Sequence, residues 1–338
     1  MNKKSTKLIP PGLAYLADNI ISKHNILGAA KGDGAKWAKD LNLSRETGTI
    51  FFAGCGYQYI SELDSLMSLI RRMDKSAIGA ERAMSLASFQ KRLGVNAAGI
   101  YRKLLVKDRA ADSQPLKDAV KVLTNLGVRF GYLGDDEPCC GGLLYYIGLE
   151  KEFAQNAQEV YSRLKSMGVK RIISIVPSCT YTIGNLIPNY VDGYDLEVKH
   201  FSQVVLENIS SRELRFPREV KVTYHDPCQL TRYLELVEEP RRILGAIKGI
   251  EFVEPDWTKG EWTTCCGGGG GFEAVFPELS GILAMNRAKE LVETGAEIIV
   301  THCPGCIMQL KSGLRELKIN NVEVLDLAQV VAMAMEEV

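Results

Sequence analysis

Nine cysteines stand at positions 55, 139, 140, 179, 228, 265, 266, 303 and 306 of the 338-residue chain. Their odd number and the adjacent pairs Cys139-Cys140 and Cys265-Cys266 point to metal or redox ligands more than to a disulfide framework. The last five are evenly spaced, with 37 positions from Cys228 to Cys265 and 37 from Cys266 to Cys303, and they close on Cys303-Pro304-Gly305-Cys306. Five thiolates brought to one place exceed the four that a tetrahedral zinc or an ordinary 4Fe-4S cluster takes. They leave a spare thiolate or hold a cluster of another shape. Structural zinc and a vicinal disulfide at each Cys-Cys remain open as alternatives, although adjacent cysteines chelate one ion only with strain. Gly141 follows the first Cys-Cys and Gly267 the second. Glycine permits positive φ and lets backbone amides approach sulfur, so both count as candidate cofactor-binding positions. A phosphate loop is not read there, because no Gly-Lys-Ser or Gly-Lys-Thr follows.

Something must bring these residues together, and the surrounding pattern supplies it. The runs TIFFAGC, RIISIVPSC, VKVTYHDPC and EIIVTHCPGC each carry a short β-type segment into a cysteine. Amphipathic stretches such as 150–167 and 278–294 lie between such runs. Alternating strands and helices predict an α/β fold with small, mostly parallel sheets flanked by helices. In such folds the loops at the carboxyl ends of the strands share one edge, where sites form.

The halves repeat. Residues 197–205 (EVKHFSQVV) align with 323–331 (EVLDLAQVV) at an offset of 126, Cys140 and Cys266 share that offset, and Cys179 and Cys306 differ by 127. Cys55 and Cys228 are 173 apart, so the first copy carries an insertion of about 47 residues between Cys55 and Cys139. The expected organisation is an amino-terminal extension over 1–47, a first cysteine-rich domain over 48–210 with a helical insertion at about 60–109, and a second over 211–338. Residues 71–109 hold ten basic side chains against three acidic ones, a candidate dock for an acidic electron donor. Over the whole chain charge is balanced, with 41 basic and 41 acidic residues, and so does not indicate nucleic acid as a partner. Neither a secretion signal nor a run of about eighteen apolar residues is read, so the expected location is cytoplasmic, with any membrane association made through a partner.

Together, Cys55, Cys139-Cys140-Gly141, Cys179, Cys228, Cys265-Cys266-Gly267 and Cys303-Pro304-Gly305-Cys306 resemble the duplicated CCG signature of the B-type and D-type subunits of heterodisulfide reductase, the glycolate oxidase iron-sulfur subunit and related lactate-utilisation proteins. The resemblance covers roughly residues 48–338. It implies a noncubane 4Fe-4S cluster on Cys228, Cys265, Cys266, Cys303 and Cys306, and a second iron-sulfur cluster on Cys55, Cys139, Cys140 and Cys179. The first set departs from the signature, since Val176 stands where a fifth cysteine belongs. Four thiolates suit a cubane or a modified noncubane cluster, and a cubane would make the first site a relay feeding the second. The implied activity is an oxidoreductase subunit passing electrons from a ferredoxin-like iron-sulfur subunit or a flavoprotein to a disulfide or small-thiol substrate. The alternative is a relay subunit in a 2-hydroxyacid oxidase complex. Longer relatives carry ferredoxin-type cysteines at the amino end, whereas this chain has none before Cys55.

His225 and His302, beside Cys228 and Cys303, are candidate proton donors or donors to cluster sulfur, against the plainer reading of backbone-bonded histidines. Arg232 reads as the helical partner of Glu235, with a carboxylated substrate as the alternative. Trp37, Trp257 and Trp262 read as packing residues, Trp262 shielding the sulfur site that follows it.

Overall fold

The computed structural model describes residues 9–46, 48–74, 113–209 and 213–336. Among the described residues, eight strands form two four-stranded sheets, all parallel. The first joins β1 (Thr49–Phe52), β2 (Gly131–Tyr132), β3 (Arg171–Ser174) and β4 (Glu197–His200) in the order β2-β1-β3-β4. The second repeats that order as β6-β5-β7-β8, from β5 (Leu214–Tyr224), β6 (Ile247–Val253), β7 (Ile298–Thr301) and β8 (Glu323–Asp326). The inner strands bury Ile50, Phe51, Phe52, Ile172 and Ile173 in one sheet and Val222, Tyr224, Ile298, Ile299 and Val300 in the other. Parallel strands buried in this way need helices to cover them. The amphipathic stretches noted in the sequence supply two, Glu150–Ser166 and Pro277–Val292.

The ladders reproduce the sequence repeat. Thr49 and Val222, Arg171 and Ile298, and Glu197 and Glu323 occupy matching rungs, at offsets of 173, 127 and 126. EVKHFSQVV and EVLDLAQVV become the same device twice: a strand, an N-cap and a helix, Phe201–Asn208 or Leu327–Ala334. His200 and Asp326 are the caps. Each side chain accepts a backbone N–H, from Ser202 or Ala328, while Gln203 or Gln329 reaches back to the cap's own amide.

The halves share one hydrophobic core. Helix Leu327–Ala334 packs on helix Gln114–Asn125, and helix Pro277–Val292 on helix Ile60–Asp74. That last helix opens the expected insertion. The remainder of it, with nearly all of the basic stretch 71–109, lies outside the described residues. Among the described residues no helix is long and apolar enough to cross a membrane.

His200 is fully buried, and its ring meets that of His302 edge-on at 4.9 Å between centroids. Burial first, then His302, holds its pKa well below the ordinary 6.5. Below pH 6.5 the unfolded chain therefore takes up a proton that the folded chain refuses. Stability should be level above that pH and fall beneath it, by up to about 1.4 kcal/mol per pH unit for this group. His200→Asn keeps a good N-cap and removes the titration, so its thermal stability should fall less than the parent's between pH 6.5 and 5; parallel curves would contradict this.

Candidate metal centres

Every cysteine lies just beyond the carboxyl end of a strand. Cys55 is in the turn of helix Gly54–Gln58 after β1, Cys139 and Cys140 follow β2, and Cys179 is in helix Pro177–Tyr181 after β3. Cys228 follows β5, Cys265 and Cys266 follow β6, and Cys303 and Cys306 open helix Pro304–Glu316 after β7. Cys140 Sγ and Cys179 Sγ lie 3.4 Å apart, and their counterparts Cys266 Sγ and Cys306 Sγ 3.3 Å apart. Neither pair is bonded, since a disulfide bond is about 2.05 Å, and all nine cysteines are free.

The glycines after the cysteine pairs are required by geometry. Gly141 and Gly267 have φ of +78° and +83°, and a Cβ would lie 2.1 Å from Asn156 Nδ2 or 2.4 Å from the Ser280 carbonyl. Only glycine lets the chain turn so tightly into the following segment. At Gly267 the freed amide donates to Cys265 Sγ at 3.3 Å.

Val176 takes the structural place of Cys303. Each is the N-cap before a proline, in Val176-Pro177-Ser178-Cys179 and Cys303-Pro304-Gly305-Cys306. Val176 is buried against the turn that carries Cys55. A Cβ on Gly54, where φ is +68°, would lie 2.8 Å from Val176 Cγ2 and 3.1 Å from Cys179 Sγ. A methyl group thus fills the space where a fifth thiol would stand.

A carboxylate braces each site, half-buried in the first and fully buried in the second. In the first, Glu137 accepts N–H from Ala53, Gly54 and Gln58 at 2.8–2.9 Å, tying the Cys55 turn to the loop that carries Cys139. Burial pushes its pKa up to about 8, although the two backbone amides pull the other way. In the second, Asp226 forms a fork with Arg241 (2.9 and 2.9 Å) and accepts the Gly260 amide at 2.8 Å, holding the chain that leads to Cys265. Asp326 joins the halves. It accepts the Tyr57 hydroxyl, two residues beyond Cys55, and lies 2.8 Å from Nδ1 of His302, the residue before Cys303. The sequence singled out neither Glu137 nor the Tyr57–Asp326 pair. A lone acid before Cys-Cys, and partners 269 positions apart, carry no periodic signal.

Two readings need correction. Arg232 does not pair with Glu235, whose φ of +57° lies outside any helix. Its guanidinium instead donates to the carbonyls of Glu261 (2.9 Å) and Thr263, bracing the approach to Cys265. Trp37 packs and donates to Tyr132, but Trp257 and Trp262 are 71% and 70% exposed, so neither packs and Trp262 does not shield the sulfurs.

The protein by itself cannot hold these thiols as a set of anions. Hydrogen bonds from Cys139 and Cys179 pull the Cys140 thiol well down, and those donors are pushed well up. Hydrogen bonds from Cys265 and Cys306 do the same for Cys266. A ring nitrogen of His225 and the sulfurs of Cys266 and Cys306 also fall within 4.8 Å of one another. The clustered soft sulfur donors of each half fit iron-sulfur.

The cysteine-rich domain model named CCG matches residues 105–184 and 222–311, half of the chain, in two copies. The chain belongs to the cysteine-rich domain (CCG) family. The first match includes Cys139, Cys140 and Cys179 but not Cys55, which the fold adds through β1. Among its relatives, this CCG protein is 33% identical over 225 residues to the D-type subunit of the dihydromethanophenazine:CoB–CoM heterodisulfide reductase of Methanosarcina barkeri, covering 64% of this chain and 54% of that one. It is 32% identical over 227 residues to the EtfAB:quinone oxidoreductase of Syntrophomonas wolfei (64% and 31%). It is 30% identical over 203 residues to the B-type subunit of the fumarate reductase (CoM/CoB) of Methanothermobacter marburgensis (60% and 40%). The chain thus spans about half the length, or less, of these relatives, and its homology is to iron-sulfur oxidoreductases and their subunits.

The two braces predict separable effects. Glu137→Ala leaves the Ala53 and Gly54 amides without their acceptor, a cost of about 1–3 kcal/mol for each buried donor. Their hydrogen exchange should quicken while the Gly260 amide stays protected, and Asp226→Ala should give the reverse pattern. Equal effects on both turns would show that the halves do not carry independent braces.

Proposed function

We propose that this chain is an iron-sulfur electron-transfer subunit that reduces a disulfide-type substrate with electrons delivered singly by a ferredoxin-like or flavin partner. The observation carrying this reading is that the nine cysteines, all free, follow the strands of duplicated sheets, with one sulfur pair 3.4 Å apart in the first half and one 3.3 Å apart in the second. Cys228, Cys265, Cys266, Cys303 and Cys306 would hold a noncubane 4Fe-4S cluster, and Cys55, Cys139, Cys140 and Cys179 a second cluster with one thiolate fewer. Such clusters supply one-electron storage and iron able to take a sulfur ligand. The homology to the D-type subunit of heterodisulfide reductase supports the disulfide class of substrate.

A cavity of about 580 Å³ opens on Cys55, its wall including Lys23, His24, Lys31, Tyr59 and Arg163. The space bordering Cys265 is smaller, about 400 Å³. Room and the missing fifth thiolate coincide at the first site, which favours it as the place where substrate approaches; its wall also carries Asp135 and Glu137. Counting cysteines alone favoured the second. Cleavage takes two electrons and two protons, breaks one S–S bond and releases two thiols. A relay reading draws support from the spread of chemistries in the relatives' names, quinone and fumarate among them.

Ala30 lines the cavity, and Ala30→Trp would fill it. Chemically reduced, cluster-loaded protein should release two thiols from each molecule of bis(2-hydroxyethyl) disulfide. The variant should lose at least tenfold of that rate while remaining fully reducible. Equal rates would remove the cavity from the reading, and no thiol from either form would favour the relay.

A further inference from the structure

Arg287 is the largest fully buried side chain among the described residues, 1% exposed in helix Pro277–Val292 beside buried Ala284, Ala288 and Leu291. A guanidinium in a core position loses its hydration and persists only where its donors are used. Here Nε donates to His225 Nδ1 at 3.0 Å, Nη1 to Thr258 Oγ1 at 3.2 Å and Glu290 Oε2 at 2.6 Å, and Nη2 to Thr263 Oγ1 at 3.4 Å. Arg287 therefore binds the residue three before Cys228 and the loop leading to Cys265.

The Nε contact fixes a chemical state. A guanidinium carries donors only and keeps its charge, so the atom facing it must offer a lone pair. That atom is His225 Nδ1, and the neutral ring then carries its one proton on Nε2. Nε2 has no nitrogen or oxygen partner among the described residues. A ring nitrogen of His225 and the sulfurs of Cys266 and Cys306 fall within 4.8 Å of one another, and Nε2 is the nitrogen that Arg287 leaves unused. The backbone holds the ring in place, the His225 amide donating to the Val300 carbonyl at 2.8 Å.

We infer that Arg287 is a positioning residue: by holding His225 as the Nε2–H tautomer it makes the ring a fixed N–H···S donor to Cys266, denies that nitrogen to metal, and raises the reduction potential of the second site. A hydrogen bond to a ligand sulfur withdraws negative charge and favours the added electron. The first site has no counterpart. At the repeat offset of 173 the position matching His225 is Phe52, and among the described residues helix Glu150–Ser166 buries Phe153, Asn156, Ala157, Val160 and Leu164, with no cation among them. The two sites thus differ in hydrogen-bond donors as well as in thiolate number, and the second is the better electron acceptor.

The inference rests on the cysteine ligation proposed above, and potentiometric titration of anaerobic, cluster-loaded protein tests it. Arg287→Met and His225→Leu should each lower the second-site potential and leave the first-site potential unchanged. His225→Gln, which keeps an N–H donor and should fold as the parent does, should recover most of the loss. The parent's Fe–S vibrations at the second site should also shift in D₂O, and those of Arg287→Met should shift less. A second-site potential indifferent to both Arg287→Met and His225→Leu overturns the inference, as does an equal shift of both sites, the mark of general loosening. Absence of any iron-sulfur signal in the parent would instead remove the ligation reading on which it stands.

Discussion

Like charges crowded together in a dry place govern this molecule. Sulfurs 3.3–3.4 Å apart in buried surroundings cannot all be anions unless cations lie among them, and each half alone keeps one thiol well lowered and its neighbours raised. Much of the architecture around the sulfurs prepares that charge. Parallel pairing sets the strand ends on one edge, glycines at 141 and 267 turn the chain back toward the sulfurs, and carboxylates at 137 and 226 fix the turns. Asp326 then binds the Cys55 turn through Tyr57 and sits beside His302 of the Cys303 turn, so the sites share a support.

Duplication gave two frames with matching rungs, and substitution made them unequal. Val176 occupies the place of Cys303, Phe52 that of His225, and His200 that of Asp326. The first site is short of a thiolate, opens to a cavity and has no histidine on its strand. The second has five thiols with an arginine and a histidine behind them. A pair of unlike sites suits the proposed role, in which electrons arrive one at a time and two are spent together.

Much of this was legible in the sequence, because strand-then-cysteine runs and a constant offset specify both the sheets and the edge where cysteines meet. The strand-and-cap device was visible as EVKHFSQVV and EVLDLAQVV before its hydrogen bonds were known. What was hidden depended on distance or on burial. Arg287 lies in NRAKELV, where a cation reads as part of a solvated helix face, and nothing local reveals that this face is covered. Arg232 looked like half of a helical pair because the left-handed turn at Glu235 has no glycine to announce it. Trp257 and Trp262 were misjudged for the opposite reason, since large aromatic rings are buried more often than not.

The central claim is that each half holds its own cluster and that the two are chemically distinct. Mössbauer spectroscopy of ⁵⁷Fe-labelled protein prepared anaerobically tests it most directly, read beside Cys55→Ser and Cys228→Ser. Two iron populations are predicted, one vanishing with each substitution while the other persists. A single population, or one that both substitutions abolish together, would contradict the account, and so would zinc in place of iron.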